Sequence, residues 1–137
     1  MLSSIFQATT IPVLQEVVGF AQARQTVLAG NIANLDTPGY EVRDLSVEAF
    51  QSRLRAAIEE RRQPPTPRSP GEVASPRPTS LAEVSKNPKT ILHHDKNNVG
   101  MEYQVSEMVK NQMQHNLALA LMTQQFRLLQ TAVSGRL

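Results

Sequence analysis

Apolar residues recur at alternating three- and four-residue intervals near both ends of the chain. Ile11, Leu14, Val18, Ala21, Gln25, Leu28, Ile32 and Leu35 keep this spacing, with Gln25 as the one polar member. Side chains so placed share one strip of a helix and form a seam along which two helices pair. Pro12 lacks an amide hydrogen and is tolerated only near a helix start. Either the regular helix begins close to Thr10, or a bend separates it from a short helix over residues 2 to 9; the pattern favours one nearly continuous helix from about residue 11 to Asn34. At the far end Val105, Met108, Gln112, His115, Leu119, Met122, Phe126, Leu129 and Val133 form a second seam. Asn98 suits its N-cap, and Glu102 falls in the first turn, where the helix dipole favours negative charge. Val109, Met113, Leu117, Leu121 and Leu128 add a stripe beside this seam, making the apolar face wider than one partner helix can cover. The expected pairing sets Leu14, Val18, Leu28 and Ile32 against Leu119, Met122, Phe126 and Leu129.

The middle of the chain has another character. Ser46 can cap a short helix whose Phe50, Leu54 and Ile58 share one face, running to about Arg62. Residues 63 to 80 hold six of the nine prolines and few apolar side chains, which predicts an extended or disordered linker. Val84 and the Ile91-Leu92 pair suggest a strand or hairpin. The fold class is therefore mainly α: two long terminal helices paired as an antiparallel coiled coil, with a short helix, a Pro-rich linker and a small β element between them. Residues 1–40 and 98–137 form one helical domain, and residues 41–97 form an outward-facing middle segment.

The first helix ends in a built corner. Pro38 fixes its own φ and pushes Thr37 out of the helical region, while Gly39 can take the positive φ of position i+2 in a type II turn. Asn34 and Asp36 can bond free carbonyls or amides at the helix end, and Tyr40 brings a ring with a polar tip back towards the helix.

Charge and composition narrow the function. Residues 1 to 40 hold only Glu16, Arg24 and Asp36 as charged groups, and residues 101 to 137 hold Glu102, Glu107, Lys110, Arg127 and Arg136. Where a soluble hairpin would carry Glu and Lys on its outer faces, this chain carries Gln, Asn, Thr and Ser, which lose less on desolvation. A net charge of +2, with no basic run interleaved with aromatics, argues against nucleic-acid binding. No cysteine is present, so no disulfide, thiolate nucleophile or Cys-based metal site is available. His93, His94 and His115 lack ligand spacing, and Asp36 has no titratable partner beside it, so no catalytic residue, metal or cofactor is expected. No stretch approaches the roughly 18 to 20 apolar residues that span a bilayer, and no Sec-type signal is visible.

The run Ala33-Asn34-Leu35-Asp36-Thr37-Pro38-Gly39-Tyr40 resembles the ANxxTPGY signature near the N-terminus of bacterial flagellar rod and hook proteins. Asp95-Lys96-Asn97-Asn98-Val99, Glu102 and Glu107-Met108 resemble the opening of the C-terminal helix in the proximal rod members, whose short length this chain shares. Gly100 departs from that pattern, which has an acidic residue there. The resemblance covers about the first fifty and last forty-five residues. It implies a structural subunit of the basal-body rod that polymerises into a hollow drive shaft, transmits torque and lines an export channel. It further implies export without a cleaved signal peptide, through the flagellum's own type III apparatus, to a place in the periplasm. The implied partners are copies of itself, other rod proteins, the junction protein between rod and export gate, and the inner-membrane (MS) ring, with no membrane insertion. Apolar heptads alone more often mean an ordinary helical core. The corner signature and the charge-poor faces reverse that preference, and a soluble helical-hairpin adaptor binding one partner helix stands as the alternative.

Overall fold

The computed structural model describes residues 10–62, 84, 86, 88–90 and 100–135. Their order is α1 (Ile11–Ala33), β1 (Arg43–Asp44), α2 (Val47–Arg62), β2 (Lys89–Thr90) and α3 (Met101–Ser134). The expected short helix over residues 2–9, the Pro-rich linker over 63–80, the Ile91-Leu92 pair, Asn98, His93 and His94 lie outside the described residues.

α1 starts where Pro12 requires, with Pro in its first turn and Thr10 as N-cap. It runs antiparallel to α3: Arg24 meets Glu107 while Asn31, further along α1, meets Gln104, earlier in α3. The N-cap of α3 is Gly100 rather than the expected Asn98, and Gly100 contributes no capping side chain. Its carbonyl accepts the amides of Tyr103 and Gln104.

α2 forms as its cap residue dictates. Ser46 Oγ accepts the Ala49 amide at 3.2 Å, Glu48 sits in the first turn, and Phe50 turns inward. The Phe50 ring stacks on Phe20 of α1 with centroids 4.0 Å apart. Phe20, Leu45, Phe50 and Val84 make the compact core, with Val17, Val27 and Leu54 packed around it. Two of the six aromatic residues of the sequence thus stack at the centre of this core. Val84 is helical and buried in this cluster, which corrects the expectation of a strand there. The strand forms five residues later, where Lys89 pairs antiparallel with Asp44 and Thr90 with Arg43.

Candidate assembly surface

The corner is built as its residues require. Gly39 has φ +78°, and the Tyr40 amide donates to the Thr37 carbonyl at 3.1 Å, closing the turn that Pro38 initiates. Asn34 Nδ2 donates to the Gly30 carbonyl at 2.8 Å, beside the Asn34 amide that bonds the same oxygen at 3.2 Å where α1 ends. Asp36, Thr37, Pro38 and Gly39 are exposed. Tyr40 folds back, and its hydroxyl donates to Asn31 Oδ1 at 3.1 Å.

Asn31 is the hub of the corner, fully buried at 0% exposure. Its Nδ2 donates to the Arg43 carbonyl at 2.6 Å and to Gln104 Oε1 at 3.1 Å, while its Oδ1 also accepts the Arg43 amide at 3.2 Å. One side chain thereby ties together the end of α1, the corner, β1 and the first turn of α3. A buried amide satisfied on every side rigidifies, whereas one half satisfied would cost free energy.

A second polar cluster lies nearer the middle of the pair. Arg24 Nε and Nη2 donate to the two carboxylate oxygens of Asp44 at 2.9 and 2.6 Å, and Nη2 also reaches Glu107 Oε2 at 2.9 Å. Lys110 Nζ bonds the other Glu107 oxygen at 2.7 Å. Hydrogen bonding to Asp44, then to Glu107, holds the Arg24 guanidinium charged against the opposing effect of burial. The Lys110 bond first and the Arg24 bond second push the Glu107 carboxyl below its usual range, again against burial. Next along α3, Asn111 Nδ2 donates to the Ala21 carbonyl at 2.8 Å and to Gln25 Oε1 at 3.0 Å. Among the described residues, Asn111 Oδ1 and His115 Nδ1, with Arg53 Nη1 of α2, are buried without a partner.

These contacts fix the face of α3 that meets α1. Gln104, Asn111 and Ala118, spaced by seven, are buried, and Gln125 continues their line half-buried. Met108, His115, Met122 and Leu129 make the other half-buried line of the same seam. Of the expected seam residues, Leu28 is buried; Leu14, Val18, Ile32, Met122 and Leu129 are half-buried. Leu119 and Phe126 lie one position round from the buried strip and stay 41% and 45% exposed. The apolar pattern placed them in the seam because it scores Leu and Phe above Gln, Asn and Ala. The hydrogen bonds of Gln104 and Asn111 decide the register instead.

α3 consequently shows apolar surface on both sides of its seam. One flank carries Val105, Leu119, Phe126 and Val133. The other carries Leu117 and Leu121, which line an apolar groove of about 270 Å³ with Leu14, Val17, Phe20, Phe50 and Leu54. Exposed apolar area on this scale marks a surface that something else covers. No helix among the described residues is long and apolar enough to cross a membrane.

Asn31, Arg24, Asp44, Gln104 and Asn111 were not singled out by the sequence patterns, and Glu107 entered only through the resemblance. Two signals for them exist: Arg24 is the only basic residue among the first forty, and polar or small residues recur at 104, 111, 118 and 125 at heptad spacing.

Residues 21–40, the second half of α1 and the corner, match the family model described as flagella basal body rod protein. The chain is 30% identical over 122 residues to the flagellar basal body rod protein FlgB of Escherichia coli, covering 82% of this chain and 84% of that protein. The FlgB of Salmonella typhimurium is 28% identical over 131 residues, covering 88% and 90%. That of Bacillus subtilis is 26% identical over 136 residues, covering 96% of this chain and 98% of the relative.

Proposed function

This chain belongs to the flagellar basal-body rod protein family as a structural subunit of the rod, and from that membership we propose how it builds its part of the shaft. The subunit polymerises through α1 and α3 into the wall of a hollow drive shaft in the periplasm. The shaft transmits torque and lines the channel through which later flagellar proteins are exported, and it has no catalytic role. Residues 1–40 and 98–137 make the contacts, while residues 41–97 face outward. The corner at Asn34 to Tyr40 orients the outward segment on the wall, and Leu14, Val18, Leu28 and Ile32 form the seam side of α1. Its neighbours are copies of itself, other rod proteins, the junction protein leading to the export gate, and the MS ring. The subunit reaches its site through the flagellar type III apparatus without losing a signal peptide.

The observation that carries this reading is the exposed face of α3. Every large apolar side chain that is exposed among the described residues lies on this one helix, from Met101 to Val133. A monomer rarely leaves such a face in water, whereas side-by-side packing of copies would cover it. Folding and subunit contact are then settled together, so the free chain is only marginally stable.

Circular dichroism of the purified chain, alone and in isolated basal bodies, tests the reading. A rod subunit shows only a marginal thermal transition alone, gains helix on assembly and is recovered with the basal body. A rigid, cooperatively folded monomer that never enters the basal body would point to the adaptor reading instead.

A further inference from the structure

We propose that an exposed ridge of α3 docks on the outer side of α1 in a second copy of this chain, a proposal that rests on the rod-subunit reading above. The ridge is Val105, Val109, Met113, Leu117 and Leu121, spaced by four and each between 41 and 68% exposed. Residues four apart form one of the rows by which packed helices interlock. This row crosses the side of α3 opposite Gln104, Asn111 and Ala118, the buried residues that meet α1.

The outer side of α1 supplies the counterpart. Glu16, Gly19, Ala23, Thr26, Gly30 and Ala33 follow an unbroken 3-4-3-4-3 spacing, so they share one strip on the side away from α3. Glu16, Gly19, Thr26 and Ala33 are exposed, while Ala23 and Gly30 are half-buried. Both glycines of α1 stand on this strip inside the helix, where glycine is less favourable than alanine. Nothing of the described residues lies within 4 Å of the place either Cβ would take, so no contact among them demands a glycine. The large side chains of the ridge thus meet a strip on which only Glu16 is larger than threonine.

Symmetry sets the direction of this contact and charge sets its register. Copies in an open helical assembly share one direction, and α1 and α3 are antiparallel within the subunit, so α3 of one copy runs antiparallel to α1 of the next. Glu16 is the only charge on the strip, and Arg127 is the only charged residue of α3 after Lys110. Arg127 shares the heptad line of Met113 on the ridge side, and among the described residues neither Glu16 nor Arg127 is in an ion pair. Antiparallel docking with Glu16 near Arg127 sets Gln124 opposite Gly19, Met113 opposite Gly30 and Val109 opposite Ala33. The contact joins two different surfaces, so it repeats from copy to copy.

The chain contains no cysteine, which permits a direct test. Cells would carry the full-length chain as two alleles, Ala33→Cys and Val109→Cys, and their isolated basal bodies would be oxidised. A cross-linked dimer of this chain is expected when both alleles are present and not with either alone. Gly30→Leu is expected to leave the thermal midpoint of the free chain no lower than wild type while reducing its recovery in basal bodies by about tenfold or more. Glu16→Arg and Arg127→Glu are each expected to reduce that recovery, and the double variant to restore it. Recovery of the cysteine variants with no dimer, a dimer from one allele alone, or cross-linking to a different rod protein overturns the docking and leaves the rod-subunit reading standing. Full recovery of Gly30→Leu does the same. Failure of the double variant to restore recovery overturns the register. Absence of the unmodified chain from basal bodies overturns the rod-subunit reading and this proposal with it.

Discussion

The side-chain amides of Asn31 and Gln104 meet at 3.1 Å across 73 positions of sequence, and both residues are buried. Through this bond the corner and the far helix share one register. Replacing Asn31 with Leu removes the donor to Gln104 and to the Arg43 carbonyl, and the acceptor of the Tyr40 hydroxyl and Arg43 amide. Buried groups left without partners cost roughly 1 to 3 kcal/mol each, so the variant should lose about 3 kcal/mol or more. In a marginally stable chain that loss abolishes the thermal transition measured by circular dichroism. Asn31→Asp keeps the acceptor but loses both donors, and should also fail. Retention of a wild-type melting curve by either variant would show that the hub does not set the register.

Gly39 tests the corner by conformation rather than by space. Its φ of +78° is strained for other residues, and no atom of the described residues lies within 4 Å of the Cβ position. Valine should therefore fail through backbone strain of about 1 to 2 kcal/mol or more, since β-branching worsens it. Asparagine tolerates the left-handed region and should come close to wild type. Swimming and recovery of the chain in basal bodies give the readout. Equal motility of Gly39→Val and Gly39→Asn would remove the corner from the assembly mechanism.

How much of this was legible in the sequence depends on which forces were at work. Periodicity and punctuation located α1, α2 and the corner, because Pro12, Ser46, Pro38 and Gly39 act on the local backbone. The face of α3 was not legible by hydrophobicity. Its seam is fixed by Gln104 and Asn111 bonding to side chains and carbonyls on α1, contacts that exist only once the helices meet. Arg24 was hidden for the same reason: its charge belongs in the interior because Asp44 and Glu107 arrive from two other elements to surround it.

Phe20 and Phe50 are the main link holding α2 on the terminal helix pair. Truncating a buried Phe to Ala typically costs about 3 to 5 kcal/mol, through lost burial and the cavity left behind. Phe50→Ala should release α2 while leaving the contacts between α1 and α3 in place, because no residue of α2 bridges those helices in the polar clusters. Limited proteolysis would then cut between Val47 and Arg62 well before α1 or α3. Simultaneous loss of all three helices would mean that α2 is integral to the wall rather than carried on it.

The Arg24 cluster makes stability depend on pH in one direction. Glu107 binds its proton less readily when folded than its ordinary value of 4.5 would give, mainly because Lys110 and then Arg24 bond to its carboxylate. An acid with a lowered folded pKa adds stability that is complete above the unfolded value and is lost as the pH falls through the folded one. The wild-type thermal midpoint should thus hold from neutral pH to about 4.5 and fall below it. Glu107→Gln removes that proton equilibrium, so its midpoint should decline less in acid. At neutral pH it should lie below wild type, by about 1.5 kcal/mol for a hydrogen bond to a charged group. Arg24→Ala is the harsher change, since it leaves Asp44 without its guanidinium partner and Glu107 with Lys110 alone, both carboxylates being mostly out of water, and should cost about 3 kcal/mol at neutral pH. Acidification should then cost this variant less than it costs wild type, because the Arg24 bond that favoured the ionised Glu107 is gone. An Arg24→Ala chain that weakened further in acid, in parallel with wild type, would mean that the carboxylates are not held by the guanidinium.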